Sequence, residues 1–255
     1  MTRDEGRMPL FSMTRETSAI IADQVAPFVI CDEASWLEWL SVHETAGALY
    51  RGQSLSGKGM SFPLACSLDR PDSRSAGACA SRVIRSLCTE RAMQKCAWLA
   101  LLNARHEGDA VPALDWSTSP DVALFFALDG AIKGAPAVEI VVWHPAKHEI
   151  LDIDADIHRR AMSPLEVPQV KVYMPPVSVC RRADAQEGCL TVHGPRSDAD
   201  RFWRVCDADA VSTPPTRHRV DASSVAKDQL LRMLARRNVC RGSLGLTEQR
   251  GFRLA

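Results

Sequence analysis

Tyr50-Arg51-Gly52-Gln53 sets a permanently charged, planar guanidinium beside a glycine that lets another group approach the backbone. Arginine holds phosphate or carboxylate bidentately, so this tetrad suits a diphosphate-bearing ligand, although a surface arginine before a turn would look the same. A second group, Ser117-Thr118-Ser119, follows Leu114-Asp115-Trp116 and precedes Pro120. A strand gives way to a helix there, and hydroxyls and unpaired first-turn amides can line one polar wall. The plainer reading makes Ser119 a helix cap, with Asp115 fixing the turn and Trp116 filling core. The third group is Gln186-Glu187-Gly188, where a carboxylate held between two strands could stabilise developing positive charge or simply occupy a hairpin turn. His106, just before Gly108, could reach the same pocket or merely complement a helix dipole.

Other chemistries fit poorly. The run Gly52-x4-Gly57-Lys58-Gly59 resembles a phosphate-cradling loop but has Gly59 where a Ser or Thr should ligate magnesium. His144 and His148 are spaced for a metal-binding helix, which Pro145 opposes. Asp152, Asp154 and Asp156 alternate like the wet face of a strand, and no glycine completes a calcium loop. The nine cysteines are odd in number, scattered, and contain no C-x-x-C pair. Free thiols and no metal site are therefore expected.

The elements that must position these groups follow from periodicity. Residues 1–30 read as an extension and 31–255 as the domain. Asp32 can cap a helix running to Val42, with Trp36, Leu37, Trp39 and Leu40 at helical spacing. Ala46–Arg51 reads as a strand, Ser54–Ala80 as a long loop, and Ser81–Arg105 as a core helix. Ser119-Pro120 opens a helix that Gly130 closes. Ala137–Trp143 is a continuous apolar run, suited to a strand buried on both faces. Val170, Val172 and Met174 alternate, further strands are expected at Val177–Arg182 and Leu190–His193, and Val225–Arg237 is a helix capped by Ser223 or Ser224. The result is an α+β fold.

Composition narrows the setting. Thirty-one Lys and Arg balance 31 Asp and Glu, so no global field draws the 255-residue chain to nucleic acid or an anionic membrane. The nine Lys or Arg between Arg217 and Ala255 face three acidic residues, a surplus of six that reads as a solvated helix face or, alternatively, a nucleic-acid-binding tail. The N-terminal residues show no secretory apolar core, and no run approaches the roughly 18 apolar residues of a membrane span. With free thiols, this points to a cytoplasmic protein or one delivered into a target cell's cytosol.

In order, Tyr50-Arg51-Gly52-Gln53, His106-Glu107-Gly108, Leu114 to Pro120, Ala123-Leu124-Phe125-Phe126-Ala127 and Ala185-Gln186-Glu187-Gly188 resemble the FRG domain, over about Leu49 to Leu246. Ala110-Val111-Pro112-Ala113 departs from the Leu-Pro-Thr-Arg that FRG domains often carry there. The motif layout is similar to that of NAD-dependent ADP-ribosyltransferases, which implies a single domain with a split, mixed or antiparallel central sheet flanked by helices. By that resemblance NAD would be the substrate, with Arg51 on its phosphates or ribose. Tyr50, Gly52, Gln53, His106, Ser117, Thr118 and Ser119 would shape the pocket. Gln186 stands at the FRG position and Glu187, beside it, carries the charge that could act on the ribose. The resemblance implies a bacterial toxin- or effector-like transferase acting on a protein or nucleic-acid acceptor, or a noncatalytic module binding a nucleotide-like or protein ligand.

Overall fold

The computed structural model describes residues 28–54, 98, 101–102, 105–106, 113–131, 134–151, 170–177, 180–192 and 211–246. In chain order these form β1 (Val29–Ile30), α1 (Glu33–His43), β2 (Leu49–Ser54), β3 (Ala113–Ser117), α2 (Pro120–Asp129) and β4 (Ala137–Trp143). A single 3-10 turn, Lys147–Glu149, then precedes β5 (Lys171–Tyr173), α3 (Arg181–Ala185), β6 (Gly188–Val192), β7 (Thr216–Asp221) and α4 (Ser224–Arg236). One seven-stranded sheet runs β1-β7-β4-β2-β3-β6-β5. It is mixed, because β1 lies parallel to β7 while the other neighbours are antiparallel. The architecture is the expected α+β one.

Strand alternation divides the side chains between two faces. On one face Tyr50, Val138, Ile140, Val142 and Val220 pack beneath α1, α2 and α4, with Trp36, Trp39, Leu124, Leu128, Leu230 and Leu234 completing the cluster. Farther along the same face, Trp98, Leu101 and Leu102 meet Ala113, Tyr173, Leu190, Val192 and Ala183 of α3. On the other face Leu49, Trp116, Val141, Trp143, Val172 and Cys189 form a separate apolar cluster. Thus β4 is buried on both sides, as its unbroken apolar run implies.

Local signals account for the helices. Asp32 caps α1 by accepting from Ser35 N–H at 2.8 Å, and the Ser35 hydroxyl accepts from Asp32 N–H at 3.0 Å. This reciprocal pair lowers the Asp32 pKa, chiefly through the Ser35 backbone bond. Pro120 begins α2, yet the Ser119 side chain makes no capping bond. The expectation that Ser119 serves chiefly as a cap is corrected. Likewise Ser223 precedes α4 without a side-chain cap, and its N–H donates instead to Asp221 Oδ1 at 2.8 Å.

Three readings change. Val29–Ile30, expected in the N-terminal extension, form the outermost strand beside β7, and Ile30 is fully buried. Residues 181–185, assigned in part to a strand, are helical. Arg-Arg-Ala-Asp-Ala lacks β-branched residues, and the preceding Val177 that suggested a strand is exposed. Strand β7 lies where only a basic tail was read. In Thr216–Asp221 the alternation is real, but it puts His218 and Val220 inward instead of a run of aliphatics. Ser54, read as the start of a loop, ends β2, and the rest of the loop read over 54–80, the wet strand at 152–156 and most of the helix read over 81–105 lie outside the described residues. The described helical positions of that last segment bury Trp98, Leu101 and Leu102. Cys31, Cys180, Cys189 and Cys240 are free thiols, and among the described residues no helix is long and apolar enough to cross a membrane.

His43, the last residue of α1, and His218 lie with ring centroids 4.2 Å apart and planes tilted by 55°, and Trp39 meets His218 at 5.3 Å. Burial and then the neighbouring His43 push the His218 pKa down to about 4, while burial and then His144 lower that of His43. Both imidazoles are therefore neutral near pH 7. A depressed histidine pKa means that the unfolded chain binds more protons, so this contribution is full above about 6.5 and is lost as pH falls towards 4. Melting temperature should fall across that window, and His218→Gln should flatten the wild-type slope; parallel slopes would contradict the assignment. A second expectation concerns Gly52, where a Cβ would collide with Ala123 O and Ala127 N of α2. Gly52→Ala should cost about 3 kcal/mol or more in denaturant unfolding, as overpacking against rigid backbone does.

Candidate functional site

Tyr50 is in register with Ser117, and Ser117 with Gly188, so one row crosses β2, β3 and β6. Neighbouring strands are about 4.8 Å apart, which brings the three motif segments within roughly 10 Å of one another at the backbone. The row also marks a split. Among the described residues β2 and β3 pair at that one position, whereas β2 follows β4 from Leu49 to Ser54 and β3 follows β6 from Ala113 to Ser117. Beyond Tyr50 the two halves of the sheet diverge.

Ser117 joins the two turns at the end of this row. Its buried hydroxyl donates to Gln186 O at 2.7 Å and accepts from Ser119 N–H at 3.0 Å. Next to it, Thr118 N–H donates to Glu187 O at 3.0 Å, and the Thr118 hydroxyl lies 3.4 Å from the same oxygen. The β3–α2 turn and the α3–β6 turn are thus joined backbone to side chain. Ser117 is a positioning residue, and its hydroxyl does not present itself to a ligand. Thr118 is exposed and Ser119 half-buried beside it.

Gln186 and Glu187 separate in role. Gln186 ends α3, is buried, and donates from Nε2 to Leu244 O at 3.1 Å, which fixes the segment after α4. Glu187 is exposed and has φ +46°, a left-handed conformation that suits glycine at a helix end. A non-glycine residue kept there stores strain of order 1 kcal/mol, a feature that recurs at functional sites.

Two members of the Tyr50-Arg51-Gly52-Gln53 tetrad turn towards the helices. The Tyr50 ring is buried, and its hydroxyl donates to His43 O at 2.7 Å and accepts from Thr45 N–H at 3.2 Å. Burial raises its pKa. Gly52 makes room for α2, so the close approach that glycine permits is that of a helix and not of a ligand. Arg51 and Gln53, the alternate positions, leave from the opposite face. There Arg51 Nη1 donates to Gln53 Oε1 at 3.2 Å, and Gln53 Nε2 donates to Glu139 Oε2 at 3.0 Å. Arg217 Nη1 lies 3.8 Å from Glu139 Oε1. Glu139 and Arg217 escaped the sequence reading; the signal for Glu139 was a lone charge inside the apolar run Ala137–Trp143.

His106 does not join this face. Its Nδ1 lies 3.8 Å from Cys180 Sγ, and its carbonyl accepts from Arg182 Nη1 at 2.9 Å, both on the helix-covered side by α3. Burial is the main cause of its lowered pKa, opposed by Asp115, which itself pairs with Arg105 at 2.8 Å. His106 thus packs against α3. Among the described residues no group of His, Cys, Asp and Glu could hold a metal ion. Three arginines of the basic tail are committed internally, Arg236 with Glu33 at 2.6 Å, Arg237 with Asp121 at 2.8 Å and Arg241 with Asp129 at 2.7 Å.

An ordered tetrad on β2, a hydroxyl-rich turn after β3 and the helix α2 that packs on Gly52 are therefore one structural unit. Residues 46–135 match the FRG domain. The match takes in Tyr50 to Gln53, His106 and Ser117 to Ser119, and ends before Gln186-Glu187-Gly188. What the structure adds to the FRG segment is the partner turn at Glu187, joined to it through Ser117 and Thr118. No curated protein and no solved structure matches the chain.

Replacing Ser117 by alanine leaves Gln186 O and Ser119 N–H without their partner. Ser117→Ala should lose about 1–3 kcal/mol in urea unfolding, the cost of stranded buried polar groups. Thr118→Val, at an exposed hydroxyl, should lose less than about 1 kcal/mol. Equal losses would mean that the Ser117 bonds do not hold the two turns together.

Proposed function

We propose that this protein is an FRG-type, ADP-ribosyltransferase-like enzyme that consumes NAD and transfers ADP-ribose to a protein or nucleic-acid acceptor, as a bacterial toxin or effector would. The observation that carries this reading is the row Tyr50–Ser117–Gly188, whose sequence neighbours are Arg51 on the diverging side and Thr118 and Glu187 on the other. In this reading Arg51 holds the diphosphate, and Thr118 and Ser119 bound the nicotinamide-ribose end. Glu187 places a carboxylate beside the ribose carbon C1′. As the bond from C1′ to the nicotinamide nitrogen breaks, positive charge develops on the ribose; nicotinamide departs with the bonding pair and the acceptor's nucleophile supplies a new one. A fixed carboxylate and a fixed diphosphate are the physical requirements of such a step.

The strained backbone of Glu187 supports the choice of that residue over Gln186, because a left-handed glutamate is retained where glycine would fit with less strain. Its exposure favours a second reading, in which the same face binds a nucleotide-like or protein ligand without turnover. The internal pairing of Arg236, Arg237 and Arg241 weighs against a nucleic-acid-binding tail.

Incubation with labelled NAD and cell lysate tests both. Wild type should transfer label or release nicotinamide, and Arg51→Ala should bind NAD more weakly. Glu187→Gly should unfold within about 1 kcal/mol of wild type, since glycine suits φ +46°. The same variant should lose at least about 100-fold in transfer. NAD binding with neither transfer nor release selects the recognition module. If Arg51→Ala also binds NAD as tightly as wild type, the assignment of this face fails.

A further inference from the structure

On the helix-covered side of the sheet, three chain segments bring a thiol, an imidazole and three charged side chains together. Cys180, the residue before α3, has its Sγ 3.8 Å from His106 Nδ1, and the His106 carbonyl accepts from Arg182 Nη1 at 2.9 Å. Asp115, on the same face of β3 as Ala113, pairs with Arg105 at 2.8 Å. The charges of Asp115, Arg182 and Arg105 all act on His106. Cys180 and His106 are each half-buried, so the pair can be reached by a small molecule. Two buried polar atoms beside it, Arg182 Nε and Asp115 Oδ1, make no hydrogen bond. Buried polar atoms nearly always have a partner, so a donor and an acceptor left over next to a thiol point to a polar ligand.

We propose that Cys180 and His106 act as nucleophile and base towards a small, carboxylate-bearing disulfide, forming a mixed disulfide at Cys180 while Arg182 receives a carboxylate of that molecule. The assignment stands apart from the NAD reading. His106 Nδ1, unprotonated in the Nε2–H tautomer, takes the thiol proton. The Cys180 sulfur bonds to one sulfur of the disulfide, and the S–S bond breaks. The departing thiolate leaves with the bonding pair and receives the proton from His106. Cys180 is oxidised and the departing half is reduced, so the disulfide itself is the oxidant. Burial, the main cause, lowers the His106 pKa, which keeps the imidazole neutral near pH 7 and able to accept a proton. Cys189 offers the contrast: it is enclosed on the other face, and burial pushes its thiol up to about 12.

The reduced full chain, incubated with oxidised glutathione and mapped by peptide mass spectrometry, gives a rate for each cysteine. At pH 7 Cys180 should react at least about 10-fold faster than the exposed Cys31, the scale on which a positioned base acts. His106→Gln should slow Cys180 by about 10-fold or more and leave Cys31 and Cys240 unchanged. Arg182→Met should slow oxidised glutathione more than the uncharged bis(2-hydroxyethyl) disulfide. Should His106→Gln fail to fold, the wild-type pH profile serves in its place. Between pH 8 and pH 7 the Cys180 rate should hold nearly level while that of Cys31 falls by about tenfold, as for a thiol with no base. Cys180 reacting no faster than Cys31, an unchanged Cys180 rate in folded His106→Gln, or parallel pH profiles would each overturn the proposal. Equal slowing of both disulfides by Arg182→Met would overturn the carboxylate contact.

Discussion

Where β3 runs into α2 and α3 into β6 the sheet ladder stops, and the Ser117 hydroxyl joins the two turns there. By donating to Gln186 O and accepting from Ser119 N–H, it satisfies two backbone groups that the ladder can no longer reach. Such groups are costly to leave unpaired when buried. One small side chain therefore fixes where α2 begins, where α3 ends and how Glu187 is presented. Thr118 extends the same tie along the backbone. The candidate site is a consequence of how the sheet ends its pairing.

The two faces of the sheet divide the labour. Helices α1, α2 and α4 cover one face with an aromatic and aliphatic core, and Tyr50 and Gly52 belong to that task. Arg51 and Gln53, one residue removed in each case, emerge on the other face among Glu139, Arg217 and Arg219. A motif of four consecutive residues thus divides between the two faces in alternation, because the period of a strand is two. The contact of α2 with Gly52 couples them: a helix seated closely on β2 leaves little freedom in the strand that carries Arg51.

The motifs were legible because chemistry was concentrated in short, ordered runs. The cap at Asp32, the Pro120 helix start, the buried strand Ala137–Trp143 and the helix over Ser224–Arg236 were equally legible, since each depends on local pattern. Strand β7 was hidden because its inward residues are histidine and valine between arginines, and α3 because an exposed valine ahead of it suggested a strand. Alternation inside the tetrad was readable in principle, but which parity faced the helices was not.

By itself the sequence determined the residue types available for chemistry, their order, and the α+β character of the chain, because composition, caps and periodicity act over a few residues. Only the tertiary structure decided that Tyr50, Gly52 and Gln186 serve packing, that His106 meets Cys180, and that Glu139 and Arg217 join Arg51. Those outcomes depend on strand register between segments as distant as Arg51 and Arg217, and register is set by the packing of the whole sheet against its helices.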